Sequence, residues 1–291
     1  MTVKVLHFTD PGCPWAYSAS PALAALRWRF GEQLDWQLVT ITLSQDLSRY
    51  EPMPDYTPAR STIRHRQFRE RFGMPFVTEA RDRHVASLPA CRAIVATRLR
   101  HPEREHAVLR ALQFGWMTTT LLMDTEDGIR AAIVDVDGID ADAIVASLEA
   151  PEVIEAWRAD YDLTRTAAGS ATEAMGRSSD RGGAVRYTAP SLVFELDRQR
   201  LDAGGFQPLE AYDVCLANMA PKLERRPEAK TAGEALAAFP DGLTTREVAA
   251  VMQPRLAAAD LAAAEASLIE TVAEGGARRR PLGHDALWQP V

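Results

Sequence analysis

The sequence contains little cysteine and no long apolar run. Its 291 residues include three cysteines, Cys13, Cys91 and Cys215, which are too few and too far apart for a disulfide framework. No window approaches the roughly 18 uninterrupted apolar residues of a transmembrane helix. The N-terminus shows neither the basic region nor the cleavage site of a signal peptide. We therefore expect a cytoplasmic protein that does not associate with membranes.

Positive charge and several catalytic motifs are also missing. The formal net charge of −7 gives no general attraction to nucleic acid or to anionic lipid. No C-x-x-C, H-x-x-x-H or clustered carboxylate set is present, so no metal site is indicated. The sequence has no glycine-rich nucleotide motif, no Walker motif and no G-x-S-x-G elbow. These absences exclude the corresponding nucleotide-binding and serine hydrolase classes.

The first part of the chain reads as an α/β unit. Residues 3–8 form an apolar strand pattern, apolar residues at helical spacing lead to Gly31, and residues 34–43 alternate as a strand. This β-α-β order favours parallel strands. Residues 59–165 show helical patterns and no convincing strand. Two strands, at 191–196 and 200–203, and a helix over 208–219 follow, which predicts a mixed sheet with a helical insertion.

A proline-flanked charged segment predicts a domain boundary. Pro221 and Pro227 flank a charged segment (Lys222, Glu224, Arg225, Arg226 and Glu228), a composition typical of linkers. The predicted units are therefore 1–222 and 228–291. The sequence gives no indication of an oligomeric state.

The C-terminal unit, residues 228–291, predicts a small winged-helix-like domain. Its helices are expected at 232–238, after Thr244 with Glu247 completing a capping box, and at 258–273, followed by a hairpin. Residues 258–274 contain four acidic residues, the last of them just after the helix, and no Lys or Arg. A recognition helix of that charge would be repelled by phosphates. We therefore expect a protein partner or docking within the chain, and not nucleic acid binding, although Arg278–Arg280 are basic.

Cys13 is the candidate reactive group. It follows the first strand and the turn Asp10-Pro11-Gly12, and this turn is expected to keep the sulfur near the surface. A helix beginning at Pro14, broken near Pro21, would place Cys13 at a helix N-terminus and lower its pKa. The alternative is a helix that begins only at Pro21. A lone cysteine can also be an inert apolar residue.

These segments together resemble the DsbA family of thioredoxin-fold proteins. The resemblance rests on Cys13-Pro14-Trp15-Ala16 after a strand, an insertion at about 57–165, and Ala189-Pro190 before a hairpin and helix. It covers about residues 1–220 and implies a thioredoxin-like mixed sheet. It also implies that Cys13 is the nucleophile and that Pro190 is a cis-proline facing it. Pro14, Trp15, Ala189 and Pro190 would then contact the substrate, Ala189 through its backbone.

The sequence departs from that family at Ala16, where the resolving cysteine would stand. An intramolecular C-x-x-C disulfide is therefore excluded, and the remaining chemistry is monothiol exchange with a small thiol, of the glutathione or mycothiol type, or with a partner thiol. Cys91 is expected in the helical core, or else as a distant resolving thiol, and Cys215 in the core.

A sister branch is similar as well. The 2-hydroxychromene-2-carboxylate isomerases and kappa-class glutathione transferases carry S-P-Y-x-Y, with serine at the position of Cys13, and residues 13–17 match that spacing. Three hypotheses result: a monothiol disulfide oxidoreductase with no bound cofactor, a thiol-dependent isomerase or transferase, and a non-catalytic binding module.

Overall fold

The computed structural model describes residues 1–180, 183–254 and 256–291. The elements of the first α/β segment are, in chain order, β1 (Val3–Thr9), α1 (Pro14–Ser18), α2 (Ser20–Phe30) and β2 (Leu34–Thr40). The insertion contains α3 (Pro58–Phe72), α4 (Leu88–Arg100), α5 (Glu105–Thr118), α6 (Glu126–Ile133), α7 (Ala141–Ala146) and α8 (Pro151–Thr164). None of the helices in this part of the chain, or in the remaining described residues, is long and apolar enough to cross a membrane.

The chain then returns to the sheet. The next elements are α9 (Ala171–Ala174), β3 (Ser178–Ser179), β4 (Arg186–Tyr187), β5 (Ser191–Leu196), β6 (Gln199–Ala203) and α10 (Leu209–Met219). The last elements are α11 (Ala232–Ala237), β7 (Leu243–Thr244), α12 (Thr245–Val251), α13 (Leu261–Ala273), β8 (Ala277–Leu282) and β9 (Asp285–Pro290). The short α9 and the two-residue strands β3 and β4 are too brief to leave a periodic signal in the sequence.

The main sheet has the strand order β2-β1-β5-β6. β1 and β2 are parallel, with Val3 opposite Leu34, while β5 runs antiparallel to β1, with Phe194 opposite Val5. β6 pairs antiparallel with β5 through a tight turn. This is the predicted α/β arrangement, a thioredoxin-like mixed sheet interrupted by a helical insertion, and it places the end of β1 and the start of β5 side by side.

Both faces of the sheet are buried. On one face, Val3 and Val5 pack with Leu26 of α2 and Leu216 of α10. On the other face, Phe8 stacks on Tyr187 with ring centroids 4.2 Å apart. The near-continuous apolar run of β1 follows from this two-sided burial.

The insertion extends this core. Its six helices surround a separate apolar cluster that contains Ile94 of α4 and Leu112 of α5, both fully buried. Asp160 of α8 ties the insertion to the sheet, because its carboxylate accepts hydrogen bonds from the backbone N–H and the hydroxyl of Thr40. The helices of the insertion begin at Pro58 and end at Thr164.

The C-terminal unit contains three helices and a three-stranded sheet of order β7-β9-β8. α12 begins with the predicted capping box, in which Thr244 and Glu247 bond to each other's backbone N–H groups. α13 begins at Leu261, three residues later than predicted, with Asp260 as its N-cap. The winged-helix interpretation of this unit stays a prediction.

The C-terminal unit shares its core with the α/β unit. Ala24 and Trp28 of α2 belong to the same apolar cluster as Val248 of α12 and Leu268 of α13. The indole N–H of Trp28 donates to the carbonyl oxygen of Pro227, 2.8 Å away. The segment between residues 222 and 228 therefore separates two units of the sequence, but these units pack against each other in a shared core.

Candidate active site at Cys13

Cys13 lies at the junction of β1 and α1. It is the N-cap residue of α1, with an extended backbone (φ −87°, ψ 113°), and Pro14 is the first residue of that helix. α1 ends at Ser18, and α2 begins at Ser20. The interpretation of a short first helical turn from Pro14, broken before Pro21, is therefore confirmed.

Asp10 holds the turn that presents Cys13. Its buried carboxylate accepts hydrogen bonds from the N–H of Gly12 (2.8 Å), the N–H of Leu43 (2.7 Å) and the hydroxyl of Ser87 (2.8 Å). Gly12 is packed against Trp116, so that a Cβ atom there would lie 2.7 Å from a ring carbon. Asp10 and Gly12 together fix the position of the cysteine relative to the insertion.

The Ala189-Pro190 segment lies against Cys13. The peptide bond between Ala189 and Pro190 is cis, as the family resemblance implies. The Cys13 thiol donates a hydrogen bond to the carbonyl oxygen of Ala189, 3.3 Å from Sγ. Ser191 pairs with Phe8 at the end of β1, and this register brings residues 176 positions apart into contact. Cys13, Ala189 and Pro190 are therefore adjacent, as predicted.

The protonation state of Cys13 differs from the prediction. Only 5% of the residue is exposed, and burial raises the pKa of the thiol to about 12. The backbone N–H groups of Ala16 and Trp15 act in the opposite direction, whereas the Asp10 carboxylate raises the pKa further. The expectations of a surface sulfur and a lowered pKa were wrong, because neighbouring segments cover the sulfur and α1 has only five residues.

A groove of about 320 Å³ opens beside the sulfur. Among its lining residues are Cys13, Trp15, Arg177, Arg186 and Ala189. Arg186 is buried and donates to the carbonyl oxygen of Tyr187, and no carboxylate among the described residues forms an ion pair with either arginine. Two arginines without acidic partners make this groove suited to an anionic ligand.

Trp15 forms an aromatic wall of the groove. Its side chain is 40% exposed, and its ring edges meet those of Phe68, Phe72 and Phe206, with centroids 4.8, 5.7 and 5.6 Å away. These rings form an apolar surface next to the sulfur. Sequence reasoning named none of the three phenylalanines, which come from α3 and from the loop after β6.

A smaller cavity of about 200 Å³ lies on another side of Trp15. Pro14 and Trp15 line it together with Tyr50, Tyr56 and His84, whose rings are stacked within 4.2–6.2 Å of one another. Pro14, named as a substrate-binding residue from the resemblance, therefore faces this aromatic cavity and is not among the residues that line the groove of Cys13.

The other two cysteines lie on helices of the fold. Cys91 of α4 is fully buried, its sulfur lies 3.8 Å from the Asp10 carboxylate, and burial raises its pKa well above the usual value. Cys215 of α10 is half-buried and packs beside the Tyr212 cluster. All three thiols are free. The prediction of a core position is confirmed for Cys91, whereas Cys215 lies at the partly buried edge of its cluster.

Sequence reasoning missed Asp10 and Arg186 as parts of this site. Asp10 had a local signal, since aspartate before Pro-Gly commonly bonds a backbone N–H two residues on. Arg186 had none, because it comes from the short strand β4 and reaches the cysteine only through the fold.

Comparisons with solved structures agree with this geometry. A candidate protein disulfide isomerase from Nitrosomonas europaea is 19% identical over 76% of this chain and 99% of its own, with a TM-score of 0.58. The cytosolic disulfide reductase DsbM from Pseudomonas aeruginosa is 19% identical over 75% of this chain and 100% of its own, with a TM-score of 0.51, and it has also been solved with glutathione.

A third similar structure is a candidate DsbA oxidoreductase from Streptomyces coelicolor, 18% identical over 78% of this chain and 93% of its own, with a TM-score of 0.54. At these identities the likeness establishes the fold. No curated protein sequence is significantly similar to the chain. The family model described as the DSBA-like thioredoxin domain matches residues 4–168, more than half of the sequence. The chain therefore belongs to the DsbA-like thioredoxin domain family.

Proposed function

We propose that the protein is a monothiol oxidoreductase that exchanges Cys13 with the disulfide bond of a small-thiol conjugate. The observation that carries this proposal is the contact between the Cys13 sulfur and the Ala189 carbonyl at the cis-proline, at the wall of a groove whose two arginines have no acidic partner among the described residues. A substrate chain pairing with the Ala189 backbone would be held beside this sulfur.

The exchange needs two steps. The Cys13 thiolate attacks one sulfur of a disulfide R–S–S–R′, the S–S bond breaks, and R′–S⁻ leaves and takes up a proton. The product is a mixed disulfide between Cys13 and R. A second small thiolate then attacks the sulfur of R, forms the new disulfide and returns Cys13 as a thiolate. No second protein cysteine takes part, in agreement with Ala16 and with the burial of Cys91.

Selectivity in this scheme comes from binding. A pKa near 12 lowers the thiolate fraction, and even with the higher nucleophilicity of a basic thiolate it makes Cys13 about 100-fold slower at neutral pH than a free cysteine. Correct placement of a bound disulfide can supply effective concentrations of about 10⁵ M or more. The rate gained by placing the disulfide correctly therefore exceeds the rate lost to the high pKa of the thiol. Only a disulfide that fits the groove then reacts quickly.

The charges of the groove favour one class of small thiol. Arg177 and Arg186 are suited to carboxylates, which glutathione carries and mycothiol lacks. We therefore favour a glutathione-type thiol as the second substrate. Such thiols are abundant and reduced in the cytoplasm, the predicted location of the protein.

The test is glutathione-dependent reduction of bis(2-hydroxyethyl) disulfide. The reference protein carries Cys91→Ala and Cys215→Ala, so that Cys13 is its only thiol. We expect turnover by this protein and none by the Cys13→Ser and Cys13→Ala derivatives. Arg186→Gln should raise KM for glutathione about tenfold, because a charge-assisted hydrogen bond is lost. Arg66→Gln, on the exposed face of α3, is the matched control. Full activity without Cys13 would contradict the proposal.

A second candidate is a thiol-dependent isomerase or transferase. It is supported by the proton that Cys13 retains and by the aromatic cavity beyond Trp15, where a flat second substrate would fit. A bound small thiol would supply the nucleophile, and the thiol of Cys13 would donate a hydrogen bond to it. Under this mechanism Cys13→Ser keeps most of the activity and Cys13→Ala loses it, whereas disulfide exchange is lost in both.

The non-catalytic alternative concerns the C-terminal unit. Its contacts with α2 and α5 support docking within the chain, and the four acidic residues of the α13 region argue against nucleic acid. A protein partner for the exposed face of α13 stays a prediction.

A further inference from the structure

A second large cavity, of about 470 Å³, lies where β1, β2, α2 and α5 meet the C-terminal unit. None of the described residues that line it also lines the groove of Cys13. Its volume falls in the range of small-molecule sites.

One wall carries a buried histidine without a partner. His7 of β1 is 3% exposed, and neither of its ring nitrogens has a hydrogen-bond partner among the described residues. The indole N–H of Trp36, whose ring meets His7 edge-on with centroids 6.2 Å apart, has none either. Buried polar groups left unsatisfied destabilise a fold. Their position on a cavity indicates that a ligand can satisfy them.

The same wall carries an arginine without an acidic partner. The guanidinium of Arg27 lies 3.9 Å from the ring centre of Trp36, and its Nε atom has no hydrogen-bond partner in the described part of the chain. No carboxylate of those residues forms an ion pair with it. Burial lowers the pKa of Arg27 to about 9, and nearby Arg110 lowers it further. A bound anion would relieve this unfavourable environment.

The remaining charged groups of the cavity are already matched or exposed. Three of them form ion pairs, namely Arg110 with Glu247, Asp241 with Arg104, and Arg226 with Glu234. The fourth, Glu32, is exposed to solvent. Within residues 1–180, 183–254 and 256–291, Arg27 is therefore the charge of this cavity that stays uncompensated. Burial and Arg27 lower the pKa of His7 to about 3, so its ring is neutral and offers one N–H donor and one acceptor.

The rest of the lining is mainly apolar, with Ser20, His106 and Gln113 as its other polar residues. Leu23 and Trp28 of α2 and Leu109 of α5 contribute apolar walls, and Phe239 and Leu243 contribute the C-terminal side. We propose that this cavity binds a small organic carboxylate with a flat apolar body, whose carboxylate accepts hydrogen bonds from Arg27 and His7 and whose body packs on Trp28 and the leucines.

The competing interpretation is a hydrated cavity with no ligand preference. Titration calorimetry of the full-length protein with acetate, benzoate, 1-naphthoate and neutral 1-naphthalenemethanol separates the two. We expect affinity to rise from acetate to naphthoate as apolar area is buried. The neutral alcohol should bind about tenfold more weakly than naphthoate, because it lacks the charge-assisted bond.

Variants assign the binding to this cavity. Arg27→Gln should reduce the affinity for naphthoate to that of the neutral alcohol, and Arg27→Lys, which keeps the charge if Gln disturbs the fold, should reduce it by less. Arg186→Gln tests the groove of Cys13 and should leave the affinity unchanged. No naphthoate binding at about 1 mM, equal affinity for acid and alcohol, or a loss with Arg186→Gln in place of Arg27→Gln would each overturn the proposal.

Discussion

The thiol of Cys13 donates a hydrogen bond to the carbonyl oxygen of Ala189, which lies 3.3 Å from the sulfur. This contact uses a backbone acceptor that an extended substrate would otherwise occupy, and it stabilises the protonated thiol. Under the proposed function, this contact and the burial of the sulfur keep Cys13 unreactive until a ligand enters the groove. The following predictions test this arrangement and the packing around it.

Replacing Ala16 by cysteine should restore a dithiol site. Positions 13 and 16 are three residues apart at the start of α1, which is the spacing of the C-x-x-C pair in the DsbA family. We expect the Ala16→Cys protein to lose two titratable thiols on mild oxidation, read by thiol counting and peptide mass mapping.

The matched control is Ala16→Ser, which adds a similar volume without a second thiol. A disulfide between the introduced cysteine and Cys91, or no disulfide at all, would show that the side chains at positions 13 and 16 are oriented differently.

Glu247 should be essential for the attachment of the C-terminal unit. Its carboxylate is fully buried and accepts two hydrogen bonds from Arg110 of α5, at 2.5 and 3.0 Å, and it also contacts Ser20. Removing one member of a buried ion pair leaves an uncompensated charge and costs about 3–5 kcal/mol. Glu247→Gln should lower the free energy of unfolding by this amount in urea titrations.

Glu70→Gln is the control, because Glu70 pairs with Arg66 on the exposed face of α3 and should cost less than about 1 kcal/mol. The double substitution Arg110→Met and Glu247→Leu should lower the free energy of unfolding by less than the sum of the two single substitutions. Equal effects of Glu247→Gln and Glu70→Gln would contradict a structural role for the buried pair.

Local patterns in the sequence predict much of this fold. The alternation in β2, the apolar run of β1 and the Thr244–Glu247 capping box are each determined by neighbours a few residues away, and each is present in the structure. The cis peptide before Pro190 followed from the family resemblance. In contrast, the burial of Cys13 depends on segments more than a hundred residues distant, including Trp116 and the Ala189 loop.

The large cavity could not have been predicted for the same reason. In the sequence, His7 is one more residue of an apolar strand pattern. Arg27 occupies a polar position in an amphipathic helix pattern. Their lack of partners among the described residues becomes visible only when α5 and the C-terminal unit close over them. A sequence pattern reports which face of an element is buried, but it does not report which polar atoms remain unsatisfied there.

The buried His7 should make the protein sensitive to acid. Its pKa is about 3 in the folded state, whereas an unfolded histidine has its ordinary value of 6.5. Below pH 6.5 the unfolded chain therefore takes up a proton that the folded chain does not. The stability contributed by the neutral ring is present above that pH and falls by about 1.4 kcal/mol per pH unit as the pH decreases toward about 3.

Urea unfolding at about pH 7.5 and at about pH 5 measures this effect. Between about pH 7.5 and about pH 5, the free energy of unfolding of the wild type should fall by about 2 kcal/mol more than that of a His7→Gln protein. His65, whose burial lowers its pKa to about 4, contributes equally to both proteins and cancels. The same loss in both proteins would mean that His7 is protonated in the folded state near neutral pH.

The most direct test of ligand-selected reactivity compares two reagents on Cys13, in the protein with Cys91→Ala and Cys215→Ala. Iodoacetamide, which does not use the groove, should alkylate Cys13 about 100-fold more slowly than it alkylates free cysteine at neutral pH. Glutathione disulfide, which carries carboxylates for Arg177 and Arg186, should form a single Cys13 adduct at least as fast as it reacts with free cysteine. Equal slowing of both reagents, or rapid alkylation by iodoacetamide, would contradict selection of the disulfide by the groove.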